Sequence, residues 1–275
     1  MTWPEVQDLL TRTDMVIIPI AAIEQHGPHA PIGTDFLAAN ERAKLIAQKT
    51  DVLVAPILLP GISPYHMDFP GTISLSEETV VRVYFEAAQS LIHHGFRRFL
   101  LLVGHAGDQY AAPYIADRIN QETPATALIL NQAVAPLLQN TDRGLTGTQS
   151  GELRYDAHAG VTETSIGLYL FPNLLDMSKA PKADLTLPDH LRKMLPQVVA
   201  GDPVARQIFL AEALKPRETG KQTSTREISA TGVFGERDDV KEASAGRGRA
   251  DVDAFTAASV QFIERWKNLE PLHRP

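Results

Sequence analysis

Apolar residues gather into short unbroken runs that alternate with longer stretches of helical periodicity. MVIIPI, Met15 to Ile20, predicts a buried strand; Phe36 to Lys49, capped by Thr34 or Asp35, predicts a helix; Val52 to Ile57 predicts the next strand. Glu77 to His94 sets Val80, Val81, Tyr84, Ala87, Ala88 and Leu91 on one helical face, with Ser76 placed as N-cap and Gly95 as the stop. Phe99 to Val103 predicts a strand, Tyr110 to Ile119 a helix and Thr126 to Leu130 a strand. These strands are continuously apolar instead of alternating, as expected when both faces are covered. The pattern predicts an α/β fold: a three-layer αβα sandwich around a mostly parallel sheet.

Beyond Leu130 the periodicity loosens. Gln139 to Asp156 is polar and glycine-bearing and predicts a long loop or lid. Helical signals return at Thr164 to Phe171, Pro188 to Val198, Pro203 to Leu214 and Val252 to Trp266, and Arg226 to Thr231 predicts one more strand. It leads into GVFGERDDVKEASAGRG, whose glycines predict turns and whose charges suit solvent or a subunit boundary. No internal repeat and no linker rich in Pro, Gly or Ser cuts the chain, so one domain over 1–275 is expected.

Composition narrows the function. A length of 275 residues with 44% hydrophobic residues suffices for a large core, and a net charge of -7 without a dense basic block argues against nucleic acid and for a small-molecule partner. With no cysteine, any firmly held metal must take imidazole and carboxylate ligands, which suit zinc, manganese and related divalent ions. The opening MTWPEVQDLLTRTD lacks a signal-peptide pattern, and VLVAPILLPGI is too short and proline-interrupted to span a bilayer. A cytoplasmic protein without membrane contact is expected.

Two strands break directly into polar loops. Met15 to Ile20 gives way to a segment holding Glu24, His26, His29 and Asp35, and FLLLV gives way to Gly104, His105, Gly107 and Asp108. Ligands in open α/β sheets bind beyond the carboxyl ends of strands, so both loops should face one crevice. Glu24 and His26, two apart in an extended segment, point to the same side, and Asp35 can bridge two ions with its two oxygens. The third element is HAGVTETS, with His158 five residues before Glu163. The structural alternatives are plain ones. Asp35 can be only a cap, His26 a loop histidine, Asp108 a cap or an orienting partner of His105, and Glu163 a first-turn carboxylate favoured by the helix dipole.

The strings IPIAAIEQHGPHAPIGTD, HMDFPGTISLS, LLLVGHAGDQY, DAHAGVTETSIGLYLFP and GVFGERDDVKEASAGRG, in this order between Ile18 and Gly248, resemble the creatininase (creatinine amidohydrolase) family. The resemblance implies one metal held by Glu24, Asp35 and His105 and a second held by His26, Asp35 and Glu163, as Zn2+, Mn2+ or Fe2+, with His158 as proton donor and His66 near the substrate. It also implies a homohexamer arranged as a trimer of dimers. Gly107 stands where creatininase itself has glutamate, Asp108 where many relatives have asparagine, and the 140–160 stretch has no tryptophan, which counts against creatinine as substrate.

The expected chemistry is hydrolysis of a small non-peptide carbon-nitrogen bond, in an amide, cyclic amide or formamide, by a water activated between two ions. Two other classes stand beside it: a metal-dependent hydrolase or lyase of a polyhydroxylated ring ketone or lactone such as an inosose derivative, and a non-catalytic interaction protein. Tyr65, His66 and Asp108 are candidate substrate contacts. Loop packing or a subunit contact is the alternative for Tyr65 to Asp68. His93 and His94, at a helix end, read as caps or surface residues, and Arg247 and Arg249 as structural or inter-subunit residues, with an anionic substrate group as the alternative partner.

Overall fold

After a short helix α1 (Trp3–Leu9), strand β1 (Met15–Ile20) is buried at all six positions. Its two faces enter different layers, which is why the run reads as unbroken in sequence. Val16, Ile18 and Ile20 pack into one core, while Met15 and Ile17 pack into another. The computed structural model describes residues 1–56, 59–138, 156–182, 189–213, 224–235 and 239–269.

Helix α2 (Thr34–Thr50) leads to β2 (Leu53–Val54), and α3 (Glu77–His93) leads to β3 (Arg98–Val103). Helix α4 (Ala111–Glu122) leads to β4 (Thr126–Ile129), followed at once by α5 (Leu130–Leu138). The four strands run in the order β2-β1-β3-β4, and every pairing is parallel. The first core joins the sheet to α3 and α4, and the second joins it to α2 and α5. The remaining elements are β5 (Asp156–His158), α6 (Val161–Leu170), α7 (Asp189–Arg192), α8 (Leu195–Val199), α9 (Pro203–Ala213), α10 (Thr225–Ile228), β6 (Phe234–Gly235) and α11 (Ala245–Leu269). Phe255, Ala258 and Ile263 of α11 complete the second core, so the sheet lies between two helical layers. Strands β5 and β6 pair antiparallel as a separate ribbon.

Several elements differ from the sequence expectation for identifiable reasons. Arg226 to Thr231 is not a strand, because Ser224 and Glu227 form a reciprocal capping box that starts α10 at Thr225. The cap of α2 is Gly33, which makes Thr34 and Asp35 helical residues. Helix α5, which carries Pro136 inside it, begins at Leu130, beyond which the sequence periodicity loosens, and β2 stops at Val54 before Pro56. The expected helix Pro188 to Val198 is divided into α7 and α8, with Pro196 in the first turn of the latter. The first turns of α11 absorb Gly246 to Gly248. Gly248 is required there, since a β-carbon would sit 1.9 Å from the Ser165 carbonyl oxygen of α6. Residues 139–155 of the expected loop or lid lie outside the described residues.

Candidate metal centre

The register of β1 on β3 pairs Ile20 with Val103, so both chains leave the sheet at one edge, and the Gly104 amide still donates to the Ile20 carbonyl (2.7 Å). The loop after β1 is tied down by Glu24 N–H to the Ile32 carbonyl (2.8 Å) and by Gln25 N–H to Thr72 Oγ1 (3.1 Å). That loop supplies Glu24 and His26, the first turn of α2 supplies Asp35, and the end of β3 supplies His105. The ribbon supplies His158, and the first turn of α6 supplies Glu163.

These side chains converge. Ligand atoms lie within 4.8 Å of one another in three overlapping groups: Glu24, Asp35 and His105; His26, Asp35 and Glu163; and Glu24, His26 and His158. Asp35 divides its oxygens between the first two groups. Its Oδ1 is 3.1 Å from His26 Nε2, and its Oδ2 is 3.1 Å from His105 Nδ1. Glu24 Oε1 lies 3.4 Å from His105 Nδ1 and 3.5 Å from His158 Nδ1.

The outer edges of the histidines show what the inner edges offer. A carbonyl only accepts, so each nitrogen facing one carries the proton. His26 Nδ1 donates to the Glu24 carbonyl (3.1 Å), His105 Nε2 to the Ile62 carbonyl (3.0 Å) and His158 Nε2 to the Gln25 carbonyl (2.6 Å). In the neutral ring the opposite nitrogen is then a lone pair aimed at carboxylate oxygens. Lone pairs crowded on lone pairs require a cation between them, and a histidine whose far N–H is held by a carbonyl is the usual form of a metal ligand. Glu24 Oε2 and Asp35 Oδ2 are buried with no hydrogen-bond partner, which fits the same demand.

Without metal, protons take that place. Burial alone would lower the His26 pKa, but Asp35, Glu163 and Glu24 raise it to about 10. His105 is likewise raised well above its ordinary value against burial, by Glu24 and Asp35. Burial would raise Glu24, yet His105 and His66 hold it down at about 2, and His26 and His105 lower Asp35 against the same opposition. His158 behaves oppositely. Burial, with His66 and His26 nearby, pushes it well below the ordinary histidine value and keeps Nδ1 bare.

A strained link joins His158 to Glu163. Ala159 is in the left-handed region (φ 53°), and its N–H donates to Glu163 Oε2 (2.5 Å). Thr164 Oγ1 donates to the Ala159 carbonyl (3.3 Å) and accepts from His29 Nε2 (2.9 Å), so His29 of the first loop braces this turn. The sequence placed His29 beside the ligands but gave no signal for a partner 135 residues away.

Of the candidate substrate contacts, Tyr65 and His66 sit in a 3-10 turn after Ser63. The Tyr65 hydroxyl is 3.2 Å from His105 Nε2, and burial raises its pKa. A β-carbon at Gly107 would come within 2.4 Å of both the Tyr65 hydroxyl and His105 Nε2, so the absence of a side chain there makes this contact fit. His66 Nε2 points toward Glu24 Oε1 (3.5 Å), and burial lowers its pKa to about 4. Asp108 is fully buried, and its Oδ1 accepts the Ile62 amide (3.2 Å), which holds the loop that carries Ser63 to His66.

Burial raises the Asp108 pKa to about 6, above the unfolded range near 4. The folded state therefore holds the proton more tightly, and stability falls as pH rises from about 4 through 6, the full cost being present above that. We expect Asp108→Asn to raise stability at pH 8 by roughly 1–2 kcal/mol and to bring no gain at pH 4. Denaturant unfolding at both pH values measures it, and a loss at pH 8 would contradict the assignment.

Fold and donor set together define an α/β protein with a candidate dinuclear centre for divalent metal. The chain belongs to the creatininase family: the family's sequence model, described as creatinine amidohydrolase, matches residues 1–263. The 3-dehydro-scyllo-inosose hydrolase of Thermotoga maritima is 30% identical over 177 residues, 64% of this chain and 56% of that protein, so the match spans little more than half of the relative. The creatinine amidohydrolase of Pseudomonas putida is 28% identical over 190 residues, 65% of this chain and 73% of that protein. A solved manganese form of creatininase shares the fold with a TM-score of 0.66 at 22% identity, over 99% of this chain and 97% of that one. Among the described residues, no helix is long and apolar enough to cross a membrane.

Proposed function

We propose that the chain is a two-metal hydrolase of a small non-peptide amide, cyclic amide or formamide, acting as one catalytic unit over 1–275. The observation that carries this is the sharing of Asp35 between two donor groups, Glu24 with His105 and His26 with Glu163. Divalent ions bound there, zinc, manganese or iron(II), would supply an acidified water and Lewis-acid polarisation of a carbonyl oxygen. Glu24, Asp35 and Glu163 serve as ligands in this reading, since their charge is spent on the cations.

His158 moves the proton. Its bare Nδ1 accepts one as the nucleophile attacks, its Nε2–H stays on the Gln25 carbonyl, and Nδ1 then delivers the proton to the departing nitrogen. Phe234 and His66 stack on the ring, at 5.4 and 4.3 Å between centroids, and hold it in place. We expect His158→Gln to retain the metal and lose about 10²- to 10⁴-fold in kcat. Loss of metal in that variant would instead assign His158 to coordination, through its group with Glu24 and His26.

The similarity to the Thermotoga maritima inosose hydrolase supports a second reading, a ring ketone or lactone rich in hydroxyls. Screening the metal-loaded protein against cyclic amides, formamides, lactones and inososes separates the two, and turnover of none would favour an interaction protein. We further propose a cytoplasmic homohexamer, a trimer of dimers. Met67 and Ile73, about half exposed beside the Tyr65 turn, suit a subunit contact. Light scattering tests the assembly, and a 30.1 kDa species would refute it.

A further inference from the structure

Three inner histidines turn a lone pair toward the carboxylates, and His66 is the exception. Its outer nitrogen, Nδ1, faces Gln25 Nε2 (3.1 Å) and Thr225 Oγ1 (2.8 Å) instead of a carbonyl. The orientation of the Gln25 amide is fixed independently, because Oε1 accepts the Gly27 N–H (2.9 Å) and Nε2 donates to the Gly232 carbonyl (3.0 Å). The second hydrogen of that amide nitrogen is therefore directed at His66 Nδ1, which must accept it. The Thr225 hydroxyl rotates to donate to the same lone pair. A neutral ring with Nδ1 as acceptor carries its proton on Nε2, the nitrogen 3.5 Å from Glu24 Oε1.

We infer that Gln25 is a positioning residue that fixes His66 as an N–H donor directed at Glu24 Oε1 on the edge of the metal centre, the place from which it can also receive an acceptor oxygen of the substrate. The use of that donor in turnover rests on the hydrolase reading above, whereas the tautomer does not. His66 and His158 are stacked, with ring centroids 4.3 Å apart, and share the same protonation at Nε2 but turn opposite edges to Glu24. One offers a hydrogen and the other a lone pair. The complementary substrate edge sets an acceptor oxygen beside an N–H or O–H. A cis amide in a ring has this pattern, and so does a ring ketone with a neighbouring hydroxyl. A ligand with no donor beside its carbonyl satisfies only half of the pair.

The geometry also separates Gln25's two connections. Its side chain governs His66, while its backbone carbonyl holds His158. In Gln25→Glu the atom facing His66 Nδ1 becomes an acceptor and gives up its bond to the Gly232 carbonyl, so the His66 proton should move to Nδ1 and leave Nε2 bare, with the His158 bond to the backbone carbonyl of residue 25 unchanged. A purely structural role would disturb both rings together.

Nitrogen NMR of the zinc-loaded protein labelled with [15N]histidine reads this directly, with His66→Gln and His158→Gln used for assignment. In the unsubstituted protein, His66 should be unprotonated at Nδ1 and protonated at Nε2. A proton on Nδ1, protonation of both nitrogens, or a zinc-shifted Nε2 would each overturn the proposal. In Gln25→Glu, the His66 signals alone should exchange character and kcat should fall roughly 10²-fold, the effect of losing one preorganised donor. Equal changes in both rings would overturn the assignment to the side chain. Thr225→Val, which leaves the amide intact, should keep the tautomer, and a switch there would show that Thr225 sets it.

Discussion

Asp35→Asn should abolish activity, by about 10³-fold or more in kcat/KM, and release metal from both donor groups together. No other side chain places one oxygen 3.1 Å from His26 and the other 3.1 Å from His105 among the described residues. The amide keeps the shape but presents an NH2 where one of those oxygens stood, and a nitrogen carrying two hydrogens cannot bridge cations. Because Asp35 stands in the first turn of α2 behind Gly33 as cap, the helix itself should survive the change. Metal content and turnover of whichever screened substrate is accepted would report the outcome, with circular dichroism confirming the fold. Retention of full metal content would remove the bridging role.

Removal of the metal should make stability strongly dependent on pH in the alkaline direction. The His26 pKa in the folded metal-free protein is about 10, above the unfolded value near 6.5. Its contribution is therefore complete below pH 6.5 and is lost as pH rises toward 10. Glu24 has the opposite sign. Held at about 2, it stabilises above the ordinary carboxylate range and loses that contribution as pH falls through 2. The metal-free protein should thus be firmest near pH 5 to 6.5, while the loaded protein, in which cations replace the imidazolium protons, should hold its stability to pH 9. At a thousandfold excess of metal over its dissociation constant, loading should add about 4 kcal/mol, or roughly 10 °C in Tm for a chain of this size. Thermal unfolding with and without chelator between pH 5 and 9 checks both sign and size. A metal-free protein that gains stability from pH 7 to 9 would contradict the charge pairing.

Much of this arrangement was legible in the sequence because it depends on local signals. Unbroken apolar runs revealed the strands, and polar breaks after Ile20 and Val103 marked the edge where Glu24, His26 and His105 gather. What escaped depends on contacts distant in sequence. Gln25 lies between two candidate ligands yet reads as a loop residue, since its partners His66 and Gly232 are 41 and 207 positions away. The pairing of His158 with Phe234 in the ribbon is equally silent, because short strands with no periodicity give no pattern to read. Pro136 interrupts the helical pattern of α5, and the capping box of Ser224 and Glu227 starts a helix at Thr225 where the run from Arg226 to Thr231 predicts a strand.

Asp35 is the residue that would join the two donor groups into one dinuclear centre. Elemental analysis of the purified protein, saturated with zinc or manganese and dialysed to remove loose ions, tests it most directly. About two ions per chain are predicted, falling to near none in Asp35→Asn. A saturating content of one ion per chain, or two that survive the loss of Asp35, would contradict it.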